Sequence, residues 1–172
     1  MAGTLERTCW RGMQTEHPPE WELAVVSGLD EPGRCTFADR YYQRLDIRWS
    51  PLKYVPNLKL VLDKHRRRSE SEKDRPVCDM DSPPPDWEGV MRQAEPGVVV
   101  HAARFFRHLR WLVEATLVWP GRRDLSLERQ ILESISAQDP DAPLRLWQAM
   151  GITMRISIAV KLICIGCVRT VI

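Results

Sequence analysis

The sequence predicts an α+β fold, a twisted antiparallel sheet with two or three helices packed on it. Three observations carry that expectation. Apolar residues recur at every second position over 111–119 and 152–162, the period of a half-buried strand. Thirteen prolines and nine glycines among 172 residues cut the chain into short elements. Two stretches, one from Pro56 and one from Asp124, instead carry the three-and-four spacing of a helix.

The elements follow in order. Residues 5–13 (LERTCWRGM) read as a first strand, broken at Pro18-Pro19. Residues 21–26 (WELAVV) are a second, closed by Ser27-Gly28, and 34–38 a third, entered from Pro32-Gly33. In 44–49 (RLDIRW), Leu45, Ile47 and Trp49 face one way and Arg44, Asp46 and Arg48 the other, giving a fourth strand of a meander. Pro56 suits the first turn of a helix whose stripe is Leu58, Val61, Leu62 and His65, ending in Lys64, Arg66, Arg67 and Arg68. Residues 69–86 are polar and proline-rich, with Pro83, Pro84 and Pro85 consecutive, and are expected to form a long mobile loop or a hinge between two half-domains. A strand at 98–102 follows Glu95-Pro96-Gly97; residues 104–112 fit either period, and 111–119 are a clear strand. Asp124 or Ser126 caps a helix running to about Ala137, with Leu127, Ile131, Leu132 and Ile135 inside and Glu128, Arg129 and Glu133 outside. A short helix is expected at 143–150, stopped by Gly151, and a final strand at 152–168. Residues 1–172 read as one domain, and the apolar ending at Val171-Ile172 is what a truncated form would show.

Hydrophobic residues make up 44% and charged residues 28%, ordinary globular usage for a length that buries a core without disulfides. The net charge of +2, from 25 basic and 23 acidic side chains, gives no overall field favouring nucleic acid or anionic membrane. Seven tryptophans are expected to anchor the core. The polar start lacks a secretory leader, and five cysteines without regular spacing suggest reduced thiols, so a cytoplasmic location is expected. Arg155 and Lys161 interrupt the most apolar stretch, which is short for a bilayer helix, so no membrane partner is expected.

Pro18-Pro19-Glu20-Trp21-Glu22 near the start and Ile131-Leu132-Glu133-Ser134 near the end, with a meander between, resemble the Mog1/PsbP-like fold group. The resemblance spans roughly residues 5–138. It implies a twisted antiparallel sheet and a non-catalytic module that docks onto partner proteins, such as a small GTPase or a photosystem. It transfers no site residues, and the 76–85 loop and the apolar tail depart from it.

Candidate chemistry is sparse. Cys164-Ile165-Gly166-Cys167 has redox or half-zinc spacing, but no helix follows it and Cys9, Cys35 and Cys78 are scattered singly, so packed or edge-strand thiols are expected and no cofactor or metal. His101, Arg104, Arg107, His108 and Arg110 interleave with Phe105, Phe106 and Trp111, the chain's nearest match to a nucleic-acid surface; the plainer reading is a solvated face. Lys64, Arg66, Arg67 and Arg68 could meet phosphates, but Glu70, Glu72 and Asp74 follow at once. Glu20 and Glu22 flank Trp21 and could share one strand face, where a solvated pair is the simpler reading. No G-x-S-x-G, H-E-x-x-H or glycine-rich phosphate loop occurs.

These observations lead to an expected non-catalytic interaction module whose partner is another protein, with Arg104, Arg107, Arg110, Trp111, Arg66 and Arg67 as its interaction surface, or the 152–162 edge strand taking a partner's strand. One alternative is nucleic-acid binding through 101–111 and 64–68. Another is an enzyme with an unfamiliar site gathering residues such as His101, Glu114 and Asp124 in a pocket.

Overall fold

Arg11 and Gly12 take φ of 50° and 83°, the pair of positive angles that a two-residue hairpin turn needs to match the twist of its strands. The computed structural model, which describes residues 4–27, 32–71, 77–95, 97–138, 144–149 and 152–157, therefore opens on a hairpin rather than one strand. Its arms are β1 (Glu6–Trp10) and β2 (Met13–His17), registered from Trp10 opposite Met13 to Glu6 opposite His17. The meander follows as β3 (Glu22–Val26), β4 (Gly33–Ala38) and β5 (Gln43–Pro51). Gly33 is required in β4: a Cβ there would sit 2.0 Å from the Trp49 indole.

Helix α1 (Leu58–Ser71) starts one residue after Asn57, whose Oδ1 accepts from the backbone N–H of Lys59 at 3.1 Å. Asn57 is thus the cap, and Pro56 lies just outside the helix. The 69–86 stretch is not one loop. It holds the end of α1 and the strand β6 (Val77–Asp79), and Pro84 is buried. Next come β7 (Glu88–Ala94), β8 (Gly97–Phe106) and β9 (Trp111–Pro120), so the ambiguous 104–112 segment is the end of β8 and a tight turn. Helix α2 (Leu125–Ser134) is capped by Asp124, whose Oδ1 accepts from Leu127 N–H at 3.0 Å, and gives way to β10 (Ser136–Ala137).

Two expectations are corrected here. Within the expected 143–150 helix, the described residues form a strand: β11 (Leu144–Ala149) pairs antiparallel with β12 (Ile152–Ser157) and, at Gln148 opposite Cys9, with β1. Leu144, Trp147 and Met150 fit helical spacing in the sequence, yet the strand is chosen by its ladders to neighbours distant in sequence, which no local period reports. The second correction is to the α+β class. Among the described residues the fold is β-rich, with twelve strands in two antiparallel sheets and only two helices. One sheet runs β10-β2-β1-β11-β12 and the other β3-β4-β5-β9-β8-β7-β6. The remainder of the expected 152–168 strand, with Cys164 and Cys167, lies outside the described residues. No helix of the described residues is long and apolar enough to cross a membrane.

The main core fills the inner face of the seven-stranded sheet, where Phe37, Leu45, Ile47, Val100, Val113 and Leu117 meet Met13 of β2 and Ile131 and Leu132 of α2. Trp21, Trp49, Trp87 and Trp119 are all buried there, as a tryptophan-rich sequence requires. On the outer face a smaller cluster of Leu62, Val90, Ala103 and Leu112 seats α1. Glu128, placed outside by helical periodicity, is only 1% exposed. Its carboxylate accepts from Trp119 Nε1–H at 2.9 Å and from Arg123 Nε–H at 2.8 Å, so charge and hydrogen bonding are satisfied within the core edge.

Candidate functional site

The last pairs of β5 with β9 (Pro51 opposite Trp111) and of β8 with β9 (Phe106 opposite Trp111) bring three connections to one end of the seven-stranded sheet. The β8–β9 turn is closed by Leu109 N–H on Phe106 O (3.2 Å) and Arg110 N–H on Arg107 O (3.3 Å), with Arg110 at φ 55°. Leu52 N–H donates to Arg110 O at 2.8 Å, which holds the approach to α1 against that turn. The segment before β7 folds up to meet them, with Trp87 N–H on Pro84 O at 3.1 Å.

Between these segments lies an open groove of about 710 Å³. Val55, Asn57 and Leu58 form one wall, Asp86, Trp87 and Glu88 another, and Arg104 to His108 the third. Arg104 donates to Asp86 Oδ2 at 3.2 Å and lies 4.8 Å above the Phe106 ring, so it is fixed in the wall. Arg107 and Arg110 are exposed, as is Lys53, and none of the three has an ion-pair partner among the described residues. Beside them Tyr54 is 83% exposed, Val55 64% and, on the first turn of α1, Leu60 65%. Trp87 is buried, and its indole N–H finds no acceptor among the described residues.

A second, smaller groove of about 450 Å³ lies between α1 and β6–β7, lined by Lys59, Arg66, Asp79 and Glu88 among others. Of its two cations Arg66 is engaged, bonding Asp79 and lying 3.7 Å from Asp63, whereas exposed Lys59 has no ion-pair partner among the described residues.

The outer sheet face under α1 holds a third group of polar residues. His101 of β8 stacks on His65 of α1, ring centroids 3.8 Å apart, and shares a 3.1 Å hydrogen bond with Thr116. The Lys64 ammonium bonds Glu114, whose carboxylate also lies 4.0 Å from His65 Nε2. Burial, and then the neighbouring His65, push His101 down to about 3. His65 and Lys64 hold Glu114 down to about 2. His101 is therefore neutral and Glu114 charged near neutrality, and the group pins the helix to the sheet. Neither groove is lined by His101 or Glu114.

The six residues expected to form one surface are dispersed. Arg104 and Arg107 line the large groove and Arg110 shares their turn, whereas Trp111 packs against the main core. Arg66 belongs to the smaller groove and Arg67 is exposed further along α1. Phe106 is buried in the main core and Phe105 packs on the outer cluster, so the rings needed to stack on bases face inward. Of the residues suggested for an enzyme, His101 and Glu114 are neighbours, but Asp124 caps α2 elsewhere. Among the described residues no group of three or more His, Cys, Asp or Glu could hold a metal ion.

Sequence reasoning missed Tyr54, Val55 and Trp87. One signal was present: Tyr54-Val55 is an apolar pair lying outside both the β5 alternation and the α1 stripe, hence without a core to join. No known family model matches this chain, and no curated protein matches it.

Proposed function

We propose that this protein is a non-catalytic interaction module that docks another protein at the end of its seven-stranded sheet. The observation that carries the reading is that exposed Val55 and unpaired Arg107 line one groove, while exposed Tyr54 and the cations Lys53 and Arg110, also without ion-pair partners among the described residues, lie beside them on the same two segments. Exposed aromatic and apolar side chains beside unsatisfied cations are the composition of an interaction hot spot. An intramolecular role would have paired the cations and covered the rings, as happens to Arg66 and Trp111.

The test uses the full chain as bait in cell lysate, alongside Val55→Glu and, as control, Tyr41→Ala. Tyr41 is also exposed but sits in the β4–β5 turn, away from the groove. A partner retained by the wild type and by Tyr41→Ala and lost with Val55→Glu is the expected result. Identical sets of proteins from all three baits would refute the proposal.

A further inference from the structure

We infer that the occupant of the large groove is an extended, acidic polypeptide segment carrying one large apolar side chain. This inference rests on the docking reading above and specifies its partner's chemistry. Charge complementarity sets the sign: Arg107 lines the groove, and Lys53 and Arg110 lie on the two segments that flank it, joined by the Leu52–Arg110 hydrogen bond; none of the three has a counter-ion among the described residues, so carboxylates of an incoming segment meet them with little competition. Asp86 offers none, being bonded to Arg104.

The walls supply the second requirement. Val55, Leu58, Trp87 and Phe105 line the groove, and a leucine or aromatic side chain placed among them leaves water for apolar surface. Trp87 is itself buried, its indole N–H included, so it serves as wall and offers the occupant no donor.

Glu88 gives the segment a direction. It borders both grooves and has no ion-pair partner among the described residues. It repels carboxylates on its side, so the acidic residues lie over the β8–β9 turn and the apolar residue toward Trp87. A single-stranded nucleic acid would answer the same cations and find one exposed ring, Tyr54, but stacking successive bases needs several, and Phe105 and Phe106 are packed into the two clusters.

The probe is a short, fluorescently labelled peptide of Asp, Glu, Ser and Gly with one central leucine, titrated with the full chain at low and high salt. Three comparison probes are the same peptide with serine for the leucine, a lysine-rich version, and oligothymidylate. The acidic leucine peptide is expected to bind best and to weaken with salt. Arg107→Glu with Arg110→Glu is expected to weaken it about tenfold or more, these being exposed residues whose replacement leaves the core intact. Glu88→Gln is expected to tighten it by about two- to threefold by removing a like charge. The Trp87 indole proton resonance, assigned with Trp87→Phe, should shift on binding. Preference for the lysine peptide or oligothymidylate, or indifference to the arginine and leucine changes, overturns the inference. If no peptide binds while Val55→Glu still abolishes capture of the lysate partner, the inferred chemistry is wrong and the docking reading survives. Loss of both refutes the docking reading itself.

Discussion

Glu128 shows how a single residue can escape a periodicity argument. It occupies the first turn of α2, on a helical wheel position that the apolar stripe leaves outside. The wheel cannot see that Arg123 and Trp119 arrive from the preceding strand and turn with two donors for the same carboxylate. The pair is deeply buried, the Arg123 side chain being 11% exposed. Removing one member of such a pair strands the other's charge, at a cost of roughly 3–5 kcal/mol. Glu128→Ala should therefore lower stability by about that amount, measured by chemical denaturation. Asp46 is a second case of the same kind. Its alternation with Leu45 and Ile47 placed it on the far face, where Arg48 is exposed but Asp46 itself is buried beneath the groups that bond it. The carboxylate accepts from Arg34 (2.6 Å), Thr36 (2.7 Å) and Arg48 (2.8 Å).

At the scale of elements, strands with a strict period were legible and pairings were not. Residues 44–49 and 111–119 sit in β5 and β9 as their alternation requires, and Leu62 buries the α1 stripe. The short hairpin β1–β2 was merged into one strand because Arg11-Gly12 is a weaker turn signal than the nearby Pro18-Pro19. Helix α1 carries a titration that the sequence could not reveal, since it depends on α1 crossing β8 and β9. Unfolded, His101 takes its proton near 6.5; folded, only at about 3. Burial lowers His17 in the same direction. The unfolded chain thus binds the extra protons across that window, and this contribution to stability is complete above pH 6.5 and lost as pH falls toward 3. Glu114 acts lower: held at about 2 against 4.5, it contributes fully above pH 4.5 and loses that contribution as pH falls toward 2. His101→Gln, which can keep the Thr116 hydrogen bond, should make the decline of stability between pH 6.5 and 4.5 shallower. The steeper fall below 4.5 should persist, as read from urea midpoints across pH. An unchanged slope in the upper window would contradict this account of the α1 contact.

For the whole molecule, antiparallel strand content was legible, but its division into two sheets was not. Composition and period say how many faces need burying; they do not say that β1 pairs with β11 across most of the chain. That closure turns the expected helix at 143–150 into a strand and moves the balance from α+β to a β-rich fold. The candidate surface was legible only in part for a related reason. Arg104, Arg107 and Arg110 were visible as a basic run, whereas Tyr54, Val55 and Trp87 join them only once β5, β7 and β8 end at the same edge of one sheet. The proposed function depends on that convergence. It is tested most directly by photo-crosslinking in cells from a reactive side chain placed at Tyr54, with the same group at Tyr41 as reference. A discrete protein adduct from position 54 and none from position 41 is the predicted result; no adduct from 54, or the same adducts from both, would contradict it.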